Sequence, residues 1–203
     1  MEECYYCEGA EEEEIYHEII ECITGALDAK DTYTAGHSQR VSEMSLRVCE
    51  LIGLKKKDIL KIHIAAHLHD IGKIGIPDAI LNKEGRLTDE EFEIMKTHSA
   101  IGAGILSKSK TLSEFSDIVL HHHERFDGKG YPDGLKGEKI PVGARIIAIC
   151  DSIDAMTSNR RYRKALGFDV CYQEIEKNLG KMYDPIIGQY VLDHFDEVTA
   201  CLH

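Results

Sequence analysis

The sequence predicts an all-α fold, and three observations support this prediction. Apolar residues recur at spacings of three and four along several segments, which is the period of an amphipathic helix. Helix start and stop signals flank these segments, and no stretch alternates apolar and polar residues as a half-buried strand would. The chain has 203 residues, the length of one domain. We expect residues 1–14 to form an acidic lead-in or linker and residues 15–203 to form the domain.

The first three predicted helices lie in the N-terminal third of the chain. The first begins at Ile15, and its apolar face consists of Ile15, Ile19, Ile20, Ile23 and Leu27. The second has the same spacing from Val41 to Ile52 and stops at Gly53, because glycine readily ends helices. Asp58 is a candidate N-cap for the third helix.

The later helices have clear start signals. Thr88 and Glu91 form a capping box for a helix that runs towards Leu106. Asp184 and Pro185 begin the last helix, because proline is favoured at the first helical position. We expect helices at about 114–124, 142–157, 169–179 and 185–195, and loops at about 72–87 and 125–141.

Charge and composition argue against several classes of function. The formal net charge of −12 leaves no visible basic face for duplex nucleic acid. No apolar run is long enough to span a membrane, and no signal peptide opens the chain, so we expect a cytoplasmic protein. The seven cysteines form no regular framework, which favours reduced thiols. Cys4 and Cys7 form a lone CxxC, which is weak evidence for zinc or redox chemistry.

Two motifs concentrate residues that can bind metals. HLHDIGK, residues 67–73, places His69 and Asp70 side by side at the end of an apolar helix. An imidazole and a carboxylate are suitable ligands, and one carboxylate can bridge two cations. Lys73 follows one turn later, where it could reach a phosphate oxygen. HHHERFDGKGYPDG, residues 121–134, has three consecutive histidines before a glycine-rich turn, and spacing alone does not show which of them are ligands.

Other candidate ligands are spread along the chain. His37 begins an early helix, His98 lies on the helix after Thr88, and Asp151 falls among isoleucines. A carboxylate in apolar surroundings is costly to bury unless it is paired or bound to a cation. Each has a simpler explanation, because lone histidines are more often structural and Asp151 could cap a turn or pair with Arg145. The remaining histidines are assigned to packing or the surface: His17, His63, His67, His121, His194 and His203.

Taken in order, these residues resemble the HD-GYP domain, the branch of the HD-domain phosphohydrolases that is specialised for cyclic di-GMP. The resemblance covers about Asp31 to Tyr190. The matching residues are His37, HD at 69–70, GK at 72–73, His98, HHE at 122–124, DGxGYP at 127–132 and Asp151. The resemblance implies an HD-domain core of about five helices with flanking helices. The implied metal ligands are His37, His69, Asp70, His98, His122, His123 and Asp151.

The resemblance also implies roles for residues around the metals. Lys73 would be the cationic group beside the phosphate. Gly130 and Tyr131 of the GYP turn would contact the substrate. Arg160 and Arg163 would hold its phosphates or guanines, although without the resemblance they would be interpreted as a solvated basic cluster.

The implied activity is hydrolysis of cyclic di-GMP to linear pGpG, and further cleavage to GMP stays open. Asp70 would bridge two divalent cations, with iron expected first and manganese second. Some family members bind a third metal through a glutamate at the position that Tyr33 occupies here, so two metals are favoured. Two cations about 3.5–4 Å apart would activate a hydroxide and bind a phosphate oxygen. Asp154, one turn after Asp151, would orient a ligand imidazole.

Two other functions stay open. The same centre could hydrolyse another cyclic dinucleotide or nucleotide, since only the pocket would differ. The domain could also bind cyclic di-GMP without cleaving it, as a sensor or interaction module. A homodimer and a diguanylate cyclase or a receiver or sensor protein are candidate partners, and neither duplex nucleic acid nor a membrane is expected.

Overall fold

Helices follow one another along the described part of the chain, as the apolar periodicity predicts. The computed structural model describes residues 18–27, 29–30, 36–159 and 164–202. The α-helices are α1 (18–27 and 29–30), α2 (His37–Leu51), α3 (Lys56–Leu68), α4 (Asp78–Leu81), α5 (Asp89–Leu106), α6 (Ser116–His121), α7 (Val142–Thr157), α8 (Phe168–Lys177), α9 (Pro185–Asp193) and α10 (Phe195–Val198). These residues contain no strand, so the all-α prediction is confirmed. The predicted lead-in 1–14, the Cys4–Cys7 pair and Tyr33 lie outside the described residues.

Helix α7 runs through the core. Its side chains Ile146, Ile147, Ile149 and Ile153 are completely buried, and the helix packs against α2, α3, α6, α8 and α9. Each fully buried isoleucine contributes about 1.5–3 kcal/mol relative to an exposed one. The polar residues of α7 are therefore held in place by a helix that the core fixes on several sides.

The segment after α3 contains the HD motif and packs against α5. His69 is the C-cap residue of α3, and the chain then forms a short 3-10 helix, Ile71–Gly75, that packs along α5. A Cβ atom added to Gly72 would lie 1.8 Å from the carbonyl oxygen of His98 and 2.5 Å from the amide nitrogen of Gly102. Only glycine allows this approach, so Gly72 brings the HD motif next to His98.

The loop after α6 is anchored on the segment before α9. The amides of Phe126 and Asp127 donate to the carbonyls of Met182 and Lys181, at 3.2 and 2.8 Å. The amide of Gly137 then donates to the carbonyl of Phe126 at 3.0 Å. The loop predicted at 125–141 is confirmed, and it contains one short 3-10 helix, Gly137–Lys139.

Several predicted helix ends are confirmed by their hydrogen bonds. Thr88 and Glu91 form both bonds of the capping box at the start of α5. Asp184 accepts from the amides of Ile186 and Ile187 at the start of α9, with proline at the first position. None of the helices in the described ranges is long and apolar enough to cross a membrane.

Other local predictions were wrong. Asp58 lies inside the first turn of α3, because Lys55 already has extended backbone and starts the helix earlier. Ile19 is 50% exposed, whereas Ile20 and Ile23 of α1 pack against the core. The helix expected at 114–124 is a 3-10 turn followed by α6, which ends at His121. The helix expected at 185–195 breaks at His194, which separates α9 from α10.

Replacing Gly72 tests whether its close approach to α5 is essential. Gly72→Ala forces a methyl group against the His98 carbonyl, and we expect the free energy of unfolding to fall by about 1–3 kcal/mol or more. Gly104→Ala on α5 is the matched control, because nothing lies within 4 Å of its added Cβ. The control should be neutral or stabilising by up to about 1 kcal/mol. Urea denaturation measures both, and equal effects would contradict the role assigned to Gly72.

Candidate metal centre

The residues that the HD-GYP resemblance identifies come together in two clusters. One consists of His37, His69 and Asp70, and the other of His98, His122 and His123. Within each cluster, the possible ligand atoms lie within 4.8 Å of one another. All of these residues except His123 are buried. Asp151 extends the first cluster, because its Oδ1 lies 3.3 Å from His37 Nε2.

Asp70 lies between the two clusters. Its Oδ2 is 3.4 Å from His69 Nε2 and 3.7 Å from His37 Nε2. Its Oδ1 lies 3.5 Å from His98 Nε2, in the other cluster. The Lys73 ammonium is 2.7 Å from Oδ2. One carboxylate therefore faces imidazoles on both sides, with a cationic side chain beside it.

Hydrogen bonds at Nδ1 fix the orientation of three imidazoles. Each donates to the backbone carbonyl three residues earlier: His69 to Ala66 at 2.6 Å, His98 to Met95 at 2.8 Å and His122 to Val119 at 2.7 Å. A carbonyl can only accept, so the proton of each neutral ring sits on Nδ1 and the Nε2 lone pair points into the centre. This is the arrangement in which ligand histidines are usually held.

The Nε2 atoms of these three histidines have no hydrogen-bond donor among the described residues to satisfy their lone pairs. His98 Nε2 and His122 Nε2 lie 3.3 Å apart, and two lone pairs cannot hydrogen-bond to each other. His69 Nε2 is buried without a hydrogen-bond partner. Buried polar atoms are normally satisfied. A cation would satisfy all three nitrogen atoms, so these residues fit a metal centre.

The histidines of the second cluster are neutral at physiological pH. Burial lowers the pKa values of His98 and His122, and for His122 the neighbouring imidazoles act in the same direction. Burial, with the charge of His98, lowers the pKa of His123 to about 3. Neutral imidazoles keep the lone pairs that a metal ligand needs.

The carboxylates of the first cluster are ionised. Burial alone would raise the pKa of Asp70, but Lys73 and the surrounding imidazoles hold it well below its usual value. Asp151 is partly buried, and its bond to His37 holds its pKa low. Burial lowers the pKa of His37, but Asp151, Asp154 and Asp70 outweigh that effect and raise it to about 9. The concentrated negative charge favours a cation at His37 Nε2 in place of a proton.

Asp154 and Arg40 hold His37 in position. His37 Nδ1 lies 2.6 Å from Asp154 Oδ2, and Arg40 Nε donates to Asp154 Oδ1 at 2.5 Å. Asp154 is therefore placed where the sequence predicts a carboxylate that orients an imidazole. Arg40 was not identified from the sequence as part of the site. Arg40 and Asp154 are 114 positions apart in the sequence, and no motif connects them.

Tyr131 forms a wall beside the second cluster. Its ring lies against His123 with centroids 4.9 Å apart, and its amide donates to the His123 carbonyl at 3.3 Å. Burial, together with the charges of Asp70 and Asp151, raises the pKa of Tyr131. The phenol therefore stays protonated and can donate a hydrogen bond near the centre.

Gly130 allows the GYP turn to fold back on the chain. A Cβ at this position would lie 2.3 Å from the amide nitrogen of Arg125 and 2.4 Å from Cα of Glu124. Packing accounts for a glycine here, and the contact of Gly130 with substrate stays a prediction.

Two histidines next to predicted ligands have other partners. His121 contacts the carbonyl of Asp117 at 2.8 Å and the carboxylate of Asp133 at 3.0 Å. His67 is buried, with its Nε2 2.8 Å from the hydroxyl of Ser42. Both agree with the prediction that these histidines have packing roles.

The predicted arginines are only partly accounted for. Arg145 forms its ion pair with Asp184 and also donates to the Ile140 carbonyl, so the alternative in which it pairs with Asp151 is wrong. Arg160 and Arg163 lie outside the described residues.

Comparison with known proteins identifies related sequences over most of this chain. A family model described as HD domain matches residues 21–187. A protein of Thermotoga maritima named cyclic di-GMP phosphodiesterase is 44% identical over 93% of this chain, which spans 52% of that protein's length. A protein of Vibrio cholerae named 3′3′-cGAMP-specific phosphodiesterase 2 is 36% identical over 90% of the chain, which spans 35% of its length.

A solved structure shows the same fold. The crystal structure of a cyclic GMP–AMP-specific phosphodiesterase of Vibrio cholerae superposes with a TM-score of 0.71 at 18% sequence identity. The match covers 91% of this chain and 49% of that one. It confirms the helical HD-type architecture that the sequence predicts.

The histidine triplet offers a matched test of the metal centre. His122→Gln removes a nitrogen that faces the centre, and we expect the bound manganese to fall by at least one ion per chain. His121→Gln should keep the parent content, because its partners are Asp117 and Asp133. Metal analysis after manganese loading and gel filtration measures both. Equal losses in the two variants would contradict the assignment.

Proposed function

The chain belongs to the HD domain family, and from that premise we propose that it is a metal-dependent phosphodiesterase that hydrolyses cyclic di-GMP to pGpG. The Thermotoga relative bears the name of this activity, and the present chain spans about half of its length. The proposal therefore concerns the HD domain that the two chains share.

The observation that carries the proposal is the position of Asp70. Its two oxygens face imidazoles of different clusters, and both clusters consist of residue types that bind transition metals. His37, His69 and Asp151 would hold one cation, and His98, His122 and His123 the other, with Asp70 shared. Two-metal centres that share a carboxylate are suited to phosphodiester hydrolysis.

Iron is the proposed metal, with manganese second. Histidine-rich ligation favours these ions over magnesium, which prefers oxygen ligands and retains water. When bound, two such cations supply a water nucleophile at neutral pH and polarise a phosphate oxygen. All members of the two clusters except His123 are buried, and low exposure to water strengthens electrostatic interactions within a site.

Residues beside the clusters would bind and orient the phosphodiester. The Lys73 ammonium is held 2.7 Å from Asp70, where it would stabilise the negative charge that the phosphoryl oxygens gain in the transition state. Tyr131 would limit the site on the side of His123. Arg160 and Arg163 are proposed to bind the phosphates or guanines, because guanidinium groups match both.

A second candidate function follows from the Vibrio relative named for 3′3′-cGAMP. The same centre would cleave either dinucleotide, since the reacting group is a phosphodiester in both. A panel of cyclic di-GMP, 3′3′-cGAMP and cyclic di-AMP distinguishes these substrates. A sensor that binds without cleavage is the remaining alternative.

A cytoplasmic location and protein partners complete the proposal. The described residues include five free cysteines, which fits a reducing compartment. These are Cys22, Cys49, Cys150, Cys171 and Cys201. A homodimer and a diguanylate cyclase or a receiver or sensor protein are the proposed partners.

The decisive test is hydrolysis by protein purified without oxygen. We expect about two iron or manganese ions per chain and release of pGpG from cyclic di-GMP. Asp70→Asn should lose both metal and activity, because an amide is a poor bridge between cations. Asp58→Asn removes the same charge from an exposed residue of α3 and should behave as the parent. If the metal-loaded protein binds cyclic di-GMP without cleaving it, the proposed phosphodiesterase activity is wrong and the alternative of a sensor remains.

Lys73→Met separates charge stabilisation from metal binding. We expect kcat to fall about 100-fold, since one cationic group near the phosphoryl oxygens is lost. Metal content should be retained, because Lys73 is not among the proposed ligands. Lys110→Met, at an exposed position after α5, is the control. An unchanged kcat in the Lys73 variant would rule out this role.

A further inference from the structure

Helix α5 exposes a phenylalanine close to the metal centre. Phe92 lies six residues before His98 on this helix and is 47% exposed. A single exposed apolar residue is ordinary, and Ile94 on the same helix is 42% exposed. The contacts of Phe92 therefore decide whether its exposure has a function.

Phe92 extends a row of rings that begins inside the second cluster. The His123 and Tyr131 rings lie with centroids 4.9 Å apart, and the Tyr131 and Phe92 rings meet edge to face at 6.5 Å. The row thus leads from a proposed metal ligand to an aromatic side chain at the surface. Flat, partly exposed rings are the surfaces on which nucleobases stack.

Lys96 places a positive charge over this row. Its Nζ lies 5.3 Å from the Phe92 centroid and 5.7 Å from the Tyr131 centroid. Glu93 Oε1 holds the ammonium at 2.5 Å. Phe92 and Lys96 are four residues apart, so both project from the same side of α5. The ammonium and the two rings form one continuous surface, which we call the ledge.

We propose that the ledge formed by Phe92, Lys96 and Tyr131 recognises a guanine of the substrate, with Phe92 stacking on the base and Lys96 donating to its O6 and N7 edge. This inference rests on the proposed hydrolysis of a cyclic dinucleotide. It adds contacts to a base, made by two residues of α5, to the phosphate contacts of the centre.

The chemistry of Lys96 favours guanine over adenine. A lysine ammonium has three donors and no acceptor. Guanine presents two acceptors on this edge, O6 and N7, whereas adenine presents N7 beside the donor group at N6. Stacking on Phe92 does not distinguish the purines, because every base has a π face. Affinity would therefore come from the ring and selectivity from the ammonium.

Binding measurements with slowly cleaved ligands test the ledge directly. The ligands are phosphorothioate analogues of cyclic di-GMP and cyclic di-AMP, titrated calorimetrically into manganese-loaded protein. We expect Phe92→Ala to weaken binding of both analogues by on the order of tenfold. Lys96→Met should weaken the guanine analogue by about tenfold and leave the adenine analogue within about twofold. Ile94→Ala is the matched control on α5 and should bind both as the parent does.

The outcomes separate the ledge from the proposed activity. Parent-like affinity of Phe92→Ala for both analogues would overturn stacking on Phe92. Equal losses of both analogues in Lys96→Met would overturn base selection by the ammonium. Failure of the hydrolytic function has another signature, in which the parent binds cyclic di-GMP and releases no pGpG. A parent that binds neither analogue would overturn both inferences.

Discussion

The buried carboxylate of Asp70 is the constraint on which the rest of the structure depends. It faces imidazoles of two clusters and remains ionised in surroundings that disfavour charge. Such a group is costly to bury unless it is paired with a positive charge or bound to a metal. Lys73 supplies one positive charge, and we propose that metal ions held by the histidines supply the rest. Gly72 also helps to place Asp70 between the two clusters, because the lack of a side chain allows the HD motif to approach His98 on α5.

The centre is built from hydrogen bonds that the backbone provides. His69, His98 and His122 each donate from Nδ1 to the carbonyl three residues earlier, which is within reach because all three lie in or directly after a helix. The helices thus fix both the tautomer and the direction of each Nε2 atom. His37 is the first residue of its helix, and its Nδ1 instead faces the carboxylate of Asp154, which Arg40 holds. The same orientation is reached by two different means.

The sequence predicts the positions of the helices better than the residues at which they end. It also predicts the candidate ligands better than the residues that orient or surround them. Helix α7 matches the predicted 142–157 because its apolar spacing is continuous. The segment around 114–124 instead divides into a 3-10 helix, Leu112–Phe115, and the short helix α6. The ligand candidates could be found because the HD and GYP motifs are local in sequence and because His37, His98 and Asp151 keep the order of the family around them. Arg40, Phe92 and Lys96 could not, since their partners lie on distant elements and only the folded chain brings them together.

An anomalous-scattering map of crystals that contain iron or manganese tests the central claim most directly. The account predicts two peaks per chain, one on each side of Asp70 and about 3.5–4 Å apart. The first should lie next to His37, His69 and Asp151, and the second next to the three histidines of the other cluster. A single peak confined to one cluster, or metal positions that do not include Asp70, would contradict it.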